Sequence, residues 1–289
     1  MNTGLDYLRF KTAALVVLLA VGASTVVATD EVVAVRIPER RAGAVETVLS
    51  SPILHVDYGS FGWWLLNPAD AAALNAAGID HQIVEEPYIL TLGEERFDLL
   101  SGEPVQPPGW NSPGRQGPDL HLIQGVAPIR SSWLGDLRAR GLDPVQYIHP
   151  FTYVLWGSRH EIEAAAALPW VRSHADFAPG FRVLPRWRQP DQPLVDVEIL
   201  IPTVADPPTL ITALVSLGAT RVHAAPLEAR WTVVSLTLPA ETLASAAAVP
   251  GVYSIQPAPV DGGARGEMSN QVCADNIDQS NMAYPGYQG

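Results

Sequence analysis

The chain has 289 residues, 47% of them hydrophobic, and carries 18 basic against 30 acidic side chains for a net charge of −12. That length leaves room for two or three small domains, each with a core of its own. The acidity argues against a nucleic-acid partner, which needs a basic face against phosphate, and the single cysteine, Cys273, excludes an internal disulfide.

In chain order, Arg9 and Lys11 come first, followed by the uncharged run "TAALVVLLAVGASTVVAT", with Val26 and Ala28 as small residues at its end. Residues 1–29 therefore read as a secretory signal peptide. An uncleaved anchor is the alternative, since the run is near the lower limit for spanning a bilayer. A signal peptide sends the protein out of the cytoplasm, either secreted or to the periplasm and cell envelope. No stable membrane association is expected once the signal is removed.

The strand-like run "EVVAVRI" (31–37) comes next, then a weak helix within 39–50, then "ILHVDY" (53–58). "GSFG" (59–62) reads as a hairpin turn leading into the aromatic run "FGWWLL" (61–66). Pro68 is placed as a first helical residue, where its missing N–H costs nothing, with Asn67 as N-cap and Asp70 facing the positive end of the helix. The helix stops at Gly78 and a new run opens at Ile79. "GEPVQPPGWNSPGRQGPD" (102–119) is a Pro/Gly-rich linker.

The phrase then repeats. "DLHLIQGV" (119–126) is a strand, "SSWLGDLRARG" a helix closed at Gly141, and "PVQYIH" a short strand. "FTYVLW" (151–156) follows, then a helix from Arg159 in which Ser158 and Glu161 spell a capping box, ending at Pro169. After a second linker, "PGFRVLPRWRQPDQP" (179–193), a third copy runs through "VDVEILI" (195–201), "PPTLITALVSLG" with its Leu210–Leu214–Leu217 stripe and Gly218 cap, "TRVHAA" and "WTVVSL" (231–236). Its last helix is placed from Pro239, with Glu241 in the first turn and Leu238 as a poor cap. It ends at Pro250, and a strand opens at Val252.

Each copy reads β-α-β-β-α-β. The expected fold class is α+β: tandem ferredoxin-like modules, each a four-stranded antiparallel sheet with both helices on one face and the other face to spare. The expected divisions are module 1 at 30–101, a linker at 102–118, module 2 at 119–178, a linker at 179–193, module 3 at 194–258, and a polar, aperiodic tail at 259–289.

No catalytic constellation accompanies these elements. G-x-S-x-G is absent, as are the P-loop and G-x-G-x-x-G. The seven histidines are scattered, and none has metal-ligand spacing. The pairs Glu85–Glu86 and Glu94–Glu95 are adjacent residues, so on a strand each pair points to opposite faces. No catalytic residue, metal or cofactor is expected. Most of the eight tryptophans fall in periodic elements and read as core, whereas Trp110 and Trp187 fall in linkers and read as candidates for contacting something else.

Three stretches of copy two, "LIQGVAPI", "YIHPFTYVL" and "LPWVRSHADFAPGFRV", resemble the N-terminal pro-region of large secreted subtilisin-like serine peptidases. "DYGSFGWWLL" with "FDLLSGEP" is similar to the module that precedes it in such proteins, and "GARGEMSNQVCADNIDQSNMAYPGYQG" is similar to the lead-in to their catalytic domain. The likeness covers most of the chain after the signal and rests on the order of the stretches.

The resemblance implies an intramolecular chaperone and cleft-blocking inhibitor of proteolysis whose partner is a subtilisin-like catalytic domain, in cis if the gene is longer and otherwise in trans. The family's Asp-Thr-Gly, His-Gly and Gly-Thr-Ser motifs are absent, so the chain itself is not expected to be an enzyme. By the same resemblance, Tyr253, Ser254, Ile255, Gln256 and Pro257 form the segment that enters the cleft by strand addition. Processing then falls within Ala258 to Arg265, favouring the exposed stretch Asp261, Gly262, Gly263, Ala264 and Arg265, because Pro257 and Pro259 hinder cleavage around themselves. The alternative reading is an exported cell-envelope protein-binding module with no peptidase partner.

Overall fold

The computed structural model describes residues 32–259; the signal stretch 1–29, the processing stretch Asp261–Arg265 and Cys273 lie outside the described residues. The protein is mixed α/β, with three four-stranded sheets built from antiparallel pairs and one two-stranded hairpin.

The first sheet comprises β1 (Val33–Pro38), β2 (Leu54–Asp57), β3 (Phe61–Leu66) and β4 (Gln82–Val84), with helices α1 (Ala42–Val48) and α2 (Pro68–Ala76) between strands. A hairpin of β5 (Ile89–Leu92) and β6 (Glu95–Asp98) follows. The second sheet holds β7 (Asp119–Gly125), β8 (Asp143–Ile148), β9 (Thr152–Gly157) and β10 (Val171–Asp176), with α3 (Ser131–Arg138) and α4 (Arg159–Ala166). The third holds β11 (Leu194–Pro202), β12 (Thr220–Leu227), β13 (Trp231–Pro239) and β14 (Ser254–Pro257), with α5 (Pro207–Ser216) and α6 (Leu243–Ala247). The strand orders are β2-β3-β1-β4, β10-β7-β9-β8 and β12-β13-β11-β14. In each sheet the first and third strands are central and the second and fourth are at the edges.

Local chemistry sets the helix starts. The Asp70 N–H donates to the Asn67 side chain at 2.8 Å. At α4 the Ser158 N–H donates to Glu161 at 2.7 Å and the Glu161 N–H donates to the Ser158 hydroxyl at 3.4 Å, a reciprocal pair that satisfies two orphan donors. The third copy departs from expectation. Strand β13 runs through Pro239, a 3-10 turn spans Ala240–Thr242, and α6 has only five residues, starting at Leu243. No side chain caps that turn, and Leu238 offers no acceptor, so nothing nucleates a helix at Pro239. Gly141 and Gly218 close α3 and α5 with φ of 83° and 95°, where a Cβ would be strained.

The chain divides into two compact units: one of residues up to Pro104 with His121–Ala175, the other of Val105–Leu120 with residues from Asp176 on. In the first unit, one face of the first sheet (Val35, Ile37, Trp64, Leu66) packs with Val45 of α1 and Leu74 of α2. The opposite face, predicted to be open, is also covered. Ala34, Val56, Trp63 and Leu65 join one core with Ile123, Trp133, Leu137, Phe151, Leu155, Ile162 and Trp170 of the second sheet and its helices. The Trp63 and Phe151 rings meet edge to face at 5.0 Å, and the Tyr88 hydroxyl donates to the Val126 carbonyl at 2.7 Å.

The second sheet keeps no open face over its central strand either, since every residue of β7 is buried. The β5–β6 hairpin is tied to that sheet by a polar knot. Arg172 of β10 forks onto Asp98 at 2.6 and 2.7 Å, donates to Gln124 at 2.8 Å and lies 4.0 Å over the Tyr88 ring; Gln124 in turn donates to the Tyr88 carbonyl at 3.1 Å. The expectation of a spare face on all three sheets is thus overturned for the first two. Burying both faces removes more apolar surface from water than a single helical layer would.

Two carboxyls in this unit predict its acid response. Burial opposes ionisation of Asp70, but donors from Ser50, Ser51 and Asn67 outweigh it and hold the carboxyl below the usual range. Asp98 is likewise disfavoured by burial and then held low by Arg172 and the Leu100 N–H. A depressed folded pKa contributes stability above the unfolded value of about 3.9, and this is lost as pH falls through the lower folded value. Urea midpoints measured between pH 6 and pH 2.5 are expected to fall steeply at the acid end. The Asp70→Asn variant is expected to start lower and to flatten that fall.

Candidate functional site: the third sheet and its edge strand

The third sheet differs from the other two. Alternation puts Val197, Ile199 and Ile201 of β11 with Val234, Leu236 and Leu238 of β13 on one face, and all six are buried, as are Leu210 and Leu214 of α5 and Leu243 of α6. On the other face Asp196, Glu198, Leu200, Val233 and Ser235 are half-buried to exposed, while Thr237 and Pro202 at its ends are buried. Across it the register aligns His223, Ser235, Glu198 and Gln256 in one row, and Ala225, Val233, Leu200 and Ser254 in the next. The face therefore has two halves.

One half is charged and polar: the Arg221 guanidinium donates to Asp196 at 2.8 Å and to the Thr237 hydroxyl at 2.8 Å, the Thr237 hydroxyl donates to Asp196 at 2.5 Å, and Gln256 donates to Glu198 at 3.2 Å. The other half is apolar, around Leu200, Val233 and Trp231. Tyr253 stacks with Phe177 at 5.6 Å and meets Trp231 at 4.9 Å, and burial pushes its phenol pKa up.

The segment assigned to a cleft, Tyr253 to Pro257, is placed against β11. The register pairs Ser254 with Leu200, Ile255 with Ile199, Gln256 with Glu198 and Pro257 with Val197. The Tyr253 N–H donates to the Leu200 carbonyl, and beyond the strand the Ala258 N–H still donates to the Asp196 carbonyl, both at 2.9 Å. On the outer edge, the Ile255 N–H donates to the Arg182 carbonyl at 2.8 Å, and Pro257 has no N–H to offer. Ile255 is 2% exposed. The inner edge of this segment is thus consumed by its own sheet and the outer edge is blunted at two positions.

Against that outer edge lies a groove of about 380 Å³, walled by Val183 and Trp187 on one side and Val197, Ile255 and Pro257 on the other. Trp187 is half-buried, with the Arg186 guanidinium 5.0 Å from its ring centroid. Trp110, the other linker tryptophan, is buried beneath Arg188 (5.3 Å) and is not a contact surface.

The segment read as a second linker turns out to brace this strand. Arg182 is buried, and its guanidinium donates to Asp119 at 3.0 Å, to Phe177 O at 2.7 and 3.0 Å, and to Ala247 O and Val249 O at 3.1 and 3.2 Å. Burial lowers its pKa from the usual arginine value, and Asp119 opposes that shift. The Asp119 carboxylate also accepts the Gly251 N–H at 3.1 Å. Sequence reasoning missed Arg182 because "PGFRVLP" reads as loop; the available signal was a lone arginine between two apolar residues.

Gly180, in the same segment, lies against the Gln106 side chain. A Cβ there would come 1.9 Å from Oε1 and 2.5 Å from Cδ, and Gln106 is itself buried. Gly180→Ala is expected to cost about 1–3 kcal/mol by overpacking, read as a lower thermal midpoint.

The third sheet thus presents an apolar half, a charged half and a braced edge strand. Neither a protein-family model nor a curated protein matches the chain.

Proposed function

We propose that the chain is the pro-region of a secreted subtilisin-like serine peptidase, acting as folding chaperone and cleft-blocking inhibitor of that catalytic domain. The resemblance of the "LIQGVAPI", "YIHPFTYVL" and "LPWVRSHADFAPGFRV" stretches motivates it. The strand orders, with first and third strands central, support reading all three copies as tandem ferredoxin-like modules.

The observation that carries the proposal is the third sheet, whose half-exposed face adjoins the edge strand β14. A subtilisin-like domain has a largely parallel sheet with many long-range contacts and hence a high folding barrier. A preformed antiparallel face that packs on its surface helices lowers that barrier. Because Tyr253–Pro257 is paired to β11, its role in this reading is to aim the tail, and the residues that occupy the cleft follow Ala258. Processing within Asp261–Arg265 then frees the module.

The test uses the full chain and a version ending at Ala258, each added to a subtilisin-like catalytic domain. The full chain is expected to inhibit hydrolysis and to raise the refolding yield of the acid-unfolded domain. The shortened chain is expected to keep the refolding effect and to lose inhibition by roughly 100-fold, about 2.7 kcal/mol of tail binding. Equal inhibition by both versions would remove the tail from the mechanism.

A further inference from the structure

We propose that a depression at the end of the first sheet binds a single carboxylate group, carried either by a small organic acid or by the C-terminus of a peptide. The inference is independent of the peptidase reading. The depression has a volume of about 260 Å³ and is lined by Arg36, Ser60, Phe61, Asp80, His81 and Gln82, with Pro38 at its rim. That is below the usual range for drug-sized sites and suits a carboxylate with a short body.

The central group is Arg36. It lies on β1 opposite Trp63 of β3 and Gln82 of β4, on the same sheet face as Ala34. Whereas Ala34 and Trp63 are covered, Arg36 is exposed. Its guanidinium carbon sits 4.0 Å over the Phe61 ring, and Phe61 stacks with Tyr58 at 4.7 Å. A guanidinium carbon this close to a ring face is held by the ring while its N–H groups stay available, and a guanidinium can grip a carboxylate through two parallel hydrogen bonds. In a protein with a net charge of −12, this arginine has no carboxylate partner among the described residues.

The surrounding groups agree with an anionic ligand. Asp80, the carboxylate in the lining, is paired with Arg40 at 3.3 Å, so its charge is already engaged. The His81 Nδ1–H donates to the Ile79 carbonyl at 2.7 Å, which fixes its ring. The Ser60 hydroxyl and the Gln82 amide have no hydrogen-bond partner among the described residues, and both can donate to a carboxylate oxygen. One fixed cation and two uncommitted neutral donors around one concavity select a singly charged, planar anion over a phosphate, whose higher charge asks for more than one cation.

The experiment titrates the full chain at constant ionic strength with acetate, N-acetyl-dialanine, the C-terminal amide of that peptide, and inorganic phosphate, following nitrogen-detected resonances of Arg36, Gln82 and His81. Saturable shifts with acetate and the peptide acid, none with the amide, and a weaker response to phosphate are expected. Arg36→Gln is expected to weaken binding roughly tenfold or more. A tighter response to the peptide acid than to acetate assigns a peptide C-terminus, and equal responses assign small organic acids. If Arg36→Gln does not fold, Arg36→Lys, which keeps the cation but not the fork, and Ser60→Ala replace it, both expected to weaken binding. An equal response to the amide, a preference for phosphate, or unchanged binding in these variants overturns the proposal.

Discussion

Replacing Arg182 by methionine is expected to destabilise the chain by about 3–5 kcal/mol, the scale on which removing one member of a buried ion pair is felt. Methionine has nearly the length of the arginine stem, so the loss is electrostatic rather than one of volume. It removes the guanidinium donors from the Phe177, Ala247 and Val249 carbonyls and from the Asp119 carboxylate, which keeps only the Leu120 and Gly251 N–H groups and loses its counter-charge. Lysine keeps the charge but, as a point donor, cannot reach all four acceptors at once, so Arg182→Lys should recover only part of the stability. The check is a urea titration followed by tryptophan fluorescence. Because the Arg182 carbonyl also holds the Ile255 N–H, amide exchange at Ile255 should quicken in the methionine variant before the chain unfolds. A loss of under 1 kcal/mol would contradict the bracing role.

The second large effect concerns the open face of the third sheet. Leu200→Lys with Val233→Lys places two cations side by side in its apolar half, since these residues are direct cross-strand partners. Both positions are half-buried and lie on the uncovered face, so the fold should tolerate the change at about 1–2 kcal/mol. Docking to a partner domain, which would have to bury those charges unpaired, should weaken by 100-fold or more. The measurement is affinity for a subtilisin-like catalytic domain beside a circular-dichroism melt of the free variant. A folded double variant that binds as tightly as the parent chain would show that this face is not the contact.

The two faces of the first and third sheets were written into the strands, though not in the form first expected. β11, "LVDVEILIP", alternates polar with apolar, and its sheet is covered on one side. β7, "DLHLIQG", is buried at every residue although Asp119, His121 and Gln124 are polar, so its pattern did not announce the second cover; β3, "FGWWLL", is apolar throughout and nearly all of it is buried. An unbroken apolar run is the signature of a strand covered on both faces, and it outweighs the assumption that a module leaves one face free. Asn67 and Ser158 were legible as caps because a side-chain oxygen three residues before an amide has one favourable use.

The β5–β6 hairpin was less legible. Its turn depends on Gly93 at a φ of 62°, and its strands have only four residues each. The roles of residues 102–118 and 179–193 were hidden for a different reason. Proline and glycine mark irregular backbone, and irregular backbone can still bury Trp110, Gly180 and Arg182 when side chains supply the hydrogen bonds. Of the candidate site, the sequence located β14 but could not tell that its inner edge was already taken.

In the proposed function the chain binds a subtilisin-like catalytic domain through its third sheet and hydrolyses no peptide of its own. The most direct measurement titrates a subtilisin-like catalytic domain with the purified chain while following hydrolysis of a chromogenic peptide. Hydrolysis is expected to fall to a plateau at one chain per catalytic domain, and the Leu200→Lys, Val233→Lys variant is expected to leave the rate untouched. Undiminished hydrolysis at excess chain, or hydrolysis by the chain alone, would contradict it.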